Sequence, residues 1–480
     1  MIFNILASNK NWHKYSLEEI CLKVTSGGTP SRKNPKLYEN GNINWVKTKE
    51  LNNGYIWESE EKITEEAVRK SSAKLLPVNT ILLAMYGATV GELGVLGKEM
   101  ACNQACCALI IDPKKADYRF IFYLLRLYKK EIQSLATGAA QQNLSAKTIK
   151  EFCFYIPSLE KQTEIADILS ELDKKIELNT QINQTLEQIA QALFKSWFVD
   201  FEPVRAKVQA FSDGLSLEQA ELAAMQTISG KTPEELTALS QAQPDRYAEL
   251  AETAKAFPCE MVEIDGVEVP KGWEVKPFGS LLENTIGGDW GKEEEDEKHT
   301  ENVFVFRGTD LPNIKTNEFE EIPKRYIAKN KLKSRKAKYG DIIIEVSGGS
   351  KNQPTGRSLL ITKNLLCNFD LPVIPASFCR LFTPINEKIA VLLACHLKMI
   401  YTQGKTWEYQ LQSTGISNFQ TKNFLENELI VIPDENIFNT FYEKVGVIFE
   451  KMTSNENMLL SKTRDLLLPR LLNGDFCAHV

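Results

Sequence analysis

The sequence predicts an α+β protein built twice over: two β-rich domains in tandem pseudo-twofold repeat, separated by two long antiparallel, coiled-coil-like helices. Three observations predict it. The chain has 480 residues, more than one compact core holds. A series of short blocks recurs in the same order at an offset of about 260 to 277 residues. Each copy then runs into apolar residues on three-four spacing, the mark of a long amphipathic helix.

The first domain is expected over 1–157 and the second over 272–434. Their fronts match: Trp12, Leu17, Ile20 and Gly27-Gly28 against Trp273, Phe278, Leu281 and Gly287-Gly288. Asn44-Trp45-Val46-Lys47 aligns with Phe304-Val305-Phe306-Arg307, and Cys102-Asn103 with Cys367-Asn368. Pro77–Leu83 and Tyr339–Ile344 both read as a turn feeding a buried strand. Near the ends, Gln141-Gln142-Asn143-Leu144 corresponds to Ser417-Asn418-Phe419, and both copies reach an apolar strand ending in Ile-Pro, at Pro157 and Pro433.

The first spacer helix is expected over 158–201, the second within 435–480 with a C-terminal tail. Ile165, Leu169, Leu172 and Ile176 begin one seam; Phe438, Phe441, Val445 and Phe449 begin the other. Each seam carries an Asn at a core-type position, Asn179 and Asn455, and a buried Asn fixes register and orientation. Two copies in one chain form a pseudo-twofold pair if these helices run antiparallel. Between the copies, 202–271 reads as an acidic helical connector.

The net charge of −6 conceals a division. Residues 1–157 hold 21 Lys and Arg against 15 Asp and Glu, 158–271 hold 10 against 21, and 272–434 are balanced only because of the run Glu293-Glu294-Glu295-Asp296-Glu297. A phosphate backbone responds to local charge, so a basic first domain is compatible with nucleic acid despite the total. The ten cysteines include no CxxC pair, and Cys102, Cys106 and Cys107 lie in an apolar, strand-like run. Neither a metal nor any other cofactor is expected. The N-terminus lacks the basic start and apolar run of a signal peptide, no run of about 18 apolar residues exists, and a cytoplasmic protein is expected.

Catalytic motifs are missing. Gly348-Gly349-Ser350-Lys351 lacks the spacing of a phosphate loop, and Gly87, Gly91 and Gly94 miss the dinucleotide fingerprint. No Asn-Pro-Pro-aromatic or Asp-Pro-Pro-aromatic run offers an amino-methyltransferase site. Asp341 and Glu345 are expected to be strand-edge charges rather than a nuclease pair. What remains is a set of cations and amides suited to phosphates and base edges. In the first copy these are Arg32, Lys33, Lys47, Lys49, Gln141, Gln142 and Asn143; in the second, Arg307, Lys351, Asn352, Gln353, Arg357, Gln412, Ser417 and Asn418. A nuclease or methyltransferase fused to a reader would need a catalytic motif. A protein-interaction scaffold would bind DNA without salt dependence or not at all.

Leu76–Gly91, Asn103-Gln104-Ala105, Ile156-Pro157 with Glu160–Ala166, Trp197–Lys207 and Pro270–Val275 together resemble the specificity subunits of type I restriction-modification systems. The second copy departs from the pattern at Gly348-Gly349-Ser350 and at Asp434-Glu435-Asn436. The resemblance implies a non-catalytic reader of double-stranded DNA, with two target-recognition domains each reading half of a bipartite site. It implies two modification subunits as partners, and restriction subunits that join through the assembled complex. S-adenosylmethionine, ATP and magnesium would belong to those other subunits.

Overall fold

The computed structural model describes residues 12–136, 143–264, 266–316, 319, 322–348, 353–413 and 416–472. The chain forms two compact units, Met1–Ile176 with Leu459–Val480, and Glu177–Met458.

In the first unit, Ser16 caps a single helical turn, Leu17–Ile20, through a reciprocal pair of hydrogen bonds with Glu19. The turn leads into a five-stranded sheet in the order Cys21–Ser26, Cys106–Ile111, Ile81–Ala84, Leu93–Leu96, Tyr55–Ile56. Ile81–Ala84 is buried on both faces and correspondingly reads Ile-Leu-Leu-Ala. A second sheet joins Lys62–Ile63, Ile43–Val46 and Ala101–Cys102, and His13–Ser16 pairs with Cys153–Ile156. Helix Tyr118–Leu127 covers the core with Phe120, Ile121, Leu124 and Leu125.

The second unit repeats this plan. Its four-stranded sheet has the order Leu282–Gly287, Cys379–Pro384, Ile342–Glu345, Ser358–Leu360. Lys324–Ile327, Glu301–Phe306 and Val373–Pro375 form the three-stranded sheet, Glu274–Pro277 pairs with Leu429–Ile432, and helix Glu387–Thr402 covers the core. The duplication holds at the level of single hydrogen bonds. Leu17 donates to Phe152 as Phe278 does to Glu428, and Asn79 to Leu96 as Gly340 does to Ile361. Asn79 and Gly340 both have positive φ, at 66° and 84°. Two sequence alignments are corrected. Gly27 donates to Cys106 as Gly288 does to Cys379, so Gly27-Gly28 corresponds to Gly288-Asp289 and not to Gly287-Gly288. Asn103 donates to Val46 and Ala376 donates to Phe306, so Cys102-Asn103 corresponds to Pro375-Ala376 and not to Cys367-Asn368.

Leu159–Phe198 is one continuous helix. The second is not: Glu435–Met452 and Glu456–Leu472 are separated at Thr453–Asn455. Thr453 turns its hydroxyl onto the carbonyls of Phe449 and Glu450, a local bond that competes with helix propagation. Asn455 therefore stands exposed in the break, and the expectation that it pairs is corrected. Asn179, buried, donates instead to Oδ1 of Asn457 at 2.9 Å, while Asn183 donates to the carbonyl of Met452 at 3.2 Å. The second pair advances one strand of the contact while the other retreats, so the helices are antiparallel in this unit. In the first unit Arg464 meets Asp173 at 2.6 Å, and Leu468, Leu471 and Leu472 pack among Ile165, Ala166 and Leu169.

Residues 202–271 are more than a connector. Four helices, Glu202–Ser212, Leu217–Ser229, Pro233–Ala242 and Pro244–Ala256, are punctuated by Ser216 and Thr232 caps, Gly230 in the left-handed region, and Pro at the first helical position. A hairpin, Met261–Ile264 with Val267–Pro270, follows. Val204, Phe257 and Val269 enter the same core as Trp197 and Trp273. Among the described residues no helix is long and apolar enough to cross a membrane.

Candidate nucleic-acid interface

In each unit, five loops meet around one short chain of backbone hydrogen bonds. In the first, Gly27 donates to Cys106 (3.2 Å), Gly28 to Cys102 (2.9 Å), Asn103 to Val46 (2.9 Å), Met85 to Ala105 (2.8 Å) and Leu144 to Met85 (2.9 Å). In the second, Gly288 donates to Cys379 (2.9 Å), Asp289 to Pro375 (3.0 Å), Ala376 to Phe306 (2.9 Å), Val346 to Phe378 (2.9 Å) and Phe419 to Val346 (2.8 Å). Glycine is required where the chains approach most closely. A Cβ on Gly27 would lie 2.2 Å from the carbonyl oxygen of Cys102, and one on Gly288 would lie 2.1 Å from that of Ala376. The frame ends on an antiparallel pairing of Tyr86 with Asn143 in one unit and Ser347 with Asn418 in the other. Asn143 and Asn418 are thus the same position, and both side chains are exposed.

The charged candidates hang from this frame but are largely engaged within the protein. Arg32 stacks over Tyr38 at 4.4 Å and Trp45 at 5.2 Å, and pairs with Glu61 at 2.6 Å. Lys47 meets Glu61 at 2.8 Å and Glu60 at 3.3 Å, while Lys49 meets Glu60 at 2.5 Å. Arg32 and then Lys47 hold the Glu61 carboxyl down at about 2. Three cations therefore share two carboxylates. Lys33 is exposed with no ion-pair partner among the described residues.

Arg307 occupies the place of Lys47. Lys47 and Arg307 each donate a backbone amide to a carboxylate three residues on, Glu50 at 2.7 Å and Asp310 at 2.9 Å. The Arg307 guanidinium then closes on Asp310 at 2.7 and 3.0 Å. Arg357 binds Glu345 bidentately at 2.5 and 2.8 Å, with the Glu345 side chain 3% exposed, so this arginine neutralises a buried charge. Asp341, also buried, accepts from the backbone of Lys338 at 2.7 Å, and burial pushes its carboxyl up.

The amides are placed differently. Asn418 accepts from the Ser347 hydroxyl at 2.8 Å and sits opposite Leu411, which is 61% exposed, on the solvent face of a three-stranded ribbon. Ser417 is buried, its backbone paired with Gly348 and Gln412. Gln353 is exposed and reaches the Tyr401 hydroxyl at 3.4 Å. Gln141, Gln142, Lys351 and Asn352 lie outside the described residues. An exposed Asn on a rigid strand can offer its amide bidentately to an adenine edge, whereas a cation already held by carboxylates has little left for phosphate.

One feature went unread in the sequence. From Lys324 to Lys338 the chain carries eight Lys and Arg and no acidic residue. The regional balance hid it, because acidic residues elsewhere in 272–434, five of them in the run Glu293–Glu297, offset it in the total. Within this stretch, Arg335 donates to the carbonyl of Gly287 at 2.9 Å, as Lys74 does to that of Ser26 at 3.2 Å in the first unit. The segment is thereby docked against the frame.

A duplicated scaffold with exposed amides at equivalent positions is the class of protein that the fold defines. Comparison with known proteins makes the class specific. Residues 9–188 match the family described as the type I restriction modification DNA specificity domain. The HindI specificity subunit of Haemophilus influenzae is 44% identical over 372 residues, 74% of this chain and 77% of its own length. The MjaIX specificity subunit of Methanocaldococcus jannaschii is 27% identical over 479 residues, 97% of this chain and 94% of its own. The crystal structure of a type I S subunit from M. genitalium shares the fold, with a TM-score of 0.50 at 16% identity over 97% of this chain and 98% of that one. The chain belongs to the family of type I restriction enzyme specificity subunits. It is a sequence-specific DNA-recognition subunit, non-catalytic in itself.

Proposed function

We propose that the two halves of the chain, 1–157 and 272–434, each read one half of a bipartite duplex DNA site, and that the paired helices 158–201 and 435–470 fix the unread gap between the half-sites. The observation that carries this reading is the recurrence of one hydrogen-bond frame with Asn143 and Asn418 at the same exposed bridge. Two half-sites at set helical phasing are what a duplicated reader on a fixed spacer contacts. The subunit directs methylation or restriction carried out by its partners, two modification subunits and the restriction subunits that join through them. S-adenosylmethionine, ATP and magnesium act in those partners. Among the candidates, Lys33 supplies phosphate contact, with Arg32, Lys47, Lys49 and Arg307 shaping the local field. Asn143, Gln353 and Asn418, with Gln141, Gln142, Lys351, Asn352 and Gln412 around them, form the base-reading edge, while buried Ser417 holds the ribbon beneath it. Exchanging residues 1–157 for the matching segment of a relative, then sequencing the host methylome, tests the division. One half of the methylated motif changes and the other stays; a change in both halves overturns the reading.

A further inference from the structure

We infer that the exposed lysines of the helix Lys329–Arg335 and of the residues just after it grip the phosphodiester backbone of duplex DNA beside the half-site read by the second domain. The inference rests on the DNA-reading function proposed above and adds the surface on which that domain's backbone affinity is concentrated.

The eight cations of Lys324–Lys338 divide into two groups. Four are used by the fold. Arg325 pairs with Glu293 at 2.8 Å and lies 4.7 Å over the Trp290 ring; Lys324 sits 4.9 Å over Phe304; Lys331 pairs with Asp289; Arg335 caps Gly287. The other four, Lys329, Lys333, Lys336 and Lys338, are exposed and have no ion-pair partner among the described residues. The neighbouring acidic run does not reach them: Glu293 is held by Arg325, and Asp296 by Lys292 and His299.

Lys329 and Lys333 stand four apart on one helix face, where like charges repel and weaken the helix. No acidic residue among the described residues pairs with them to offset that repulsion, and a phosphate backbone would supply the counter-charge. Position selects its nature. Arg335 and Lys331 tie the helix to Gly287 and Asp289, the residues flanking Gly288 in the frame, so the four free lysines sit beside the reading edge. Lysine, a flexible point charge, suits phosphate positioning rather than base readout. The first half lacks this surface. Its corresponding helix, Glu65–Lys70, opens with Glu65 and Glu66, and Glu66 pairs with Lys70 at 2.5 Å.

The test uses the full chain assembled with its modification subunits. Dissociation constants are measured against salt for a duplex carrying the methylated motif and for one of unrelated sequence. With Lys329, Lys333, Lys336 and Lys338 all changed to Gln, the log–log salt slope becomes shallower by about 3.6, at about 0.9 per phosphate contact. Both duplexes weaken alike, and the methylated motif is unchanged. The corresponding Arg variant keeps the slope. If the quadruple variant unfolds early, Lys333→Gln and Lys336→Gln singly each reduce the slope by about 0.9. An unchanged slope in folded variants, or a loss confined to one motif position, overturns the inference. A wild-type complex without salt-dependent binding overturns the DNA-reading function itself.

Discussion

Where Ala84 in the first half donates its amide to the carbonyl of Glu92, Glu345 in the second half donates to that of Arg357, and the two side chains close a buried ion pair. Where Phe152 accepts from Leu17, Glu428 accepts from Phe278, and its carboxylate is ringed by His396 at 2.7 Å, Lys405 at 2.8 Å and the Tyr409 hydroxyl at 2.6 Å. Thr80 likewise stands at the place of Asp341. The first half keeps its charge at the surface, where three cations share Glu60 and Glu61 and Lys33 has no ion-pair partner among the described residues. The second carries charge into its interior and holds a cluster of exposed lysines with no ion-pair partner among the described residues. The backbone frame is shared, while charge placement varies around it. Under the proposed function, affinity for phosphate and reading of bases are then separable properties of the two halves.

The buried pair gives the largest expected effect. Arg357→Ala strands the Glu345 carboxylate and destabilises the second unit by about 3–5 kcal/mol. Adding Glu345→Ala, which restores the apolar residue of the first half at that place, recovers most of the loss, since a buried pair contributes little beyond its own neutralisation. Denaturant titration checks both. A double variant as unstable as the single one would mean that the pair, and not the stranded charge, holds the strands together.

Glu428 sharpens the comparison through pH. Burial opposes its ionisation, but His396, Lys405 and Tyr409 outweigh burial and hold the carboxyl at about 2. A carboxyl depressed in the folded state stabilises above its unfolded value of about 4.5, and that stability drains as pH falls from about 4.5 toward 2. The loss is at most about 3 kcal/mol. Thermal unfolding of Glu428→Gln flattens in that window. Phe152 offers nothing to titrate at the matching place, so Phe152→Leu leaves the wild-type profile unchanged there.

Much of this organisation was legible in the sequence. Trp12 and Trp273, Val46 and Phe306, Leu144 and Phe419 fall at equivalent places because buried strands and close glycine approaches tolerate few residues. The long helices were legible from apolar spacing, their antiparallel run from the duplication, and a polar lock from Asn179. Its partner was misassigned because Thr453, by bonding back onto the chain, breaks the helix and shifts the register by two residues to Asn457. Single cations were the least legible. A sequence displays Lys47 and Arg357 as charge, while the fold supplies Glu61 and Glu345 from elsewhere in the chain to absorb it. The free lysines at 329–338 were readable as an unbroken run, but averaging over the domain erased them.

The central claim, one frame used twice on two separate half-sites, is tested most directly by changing Asn143 and Asn418 to Ala, singly and together, and sequencing the methylome of a host carrying each variant complex. The account predicts that Asn143→Ala relaxes one base position in one half of the motif and Asn418→Ala one position in the other, each by about 1–3 kcal/mol of discrimination, with the double variant relaxed at both. Two substitutions that relax the same half, or either one relaxing both halves, would contradict it.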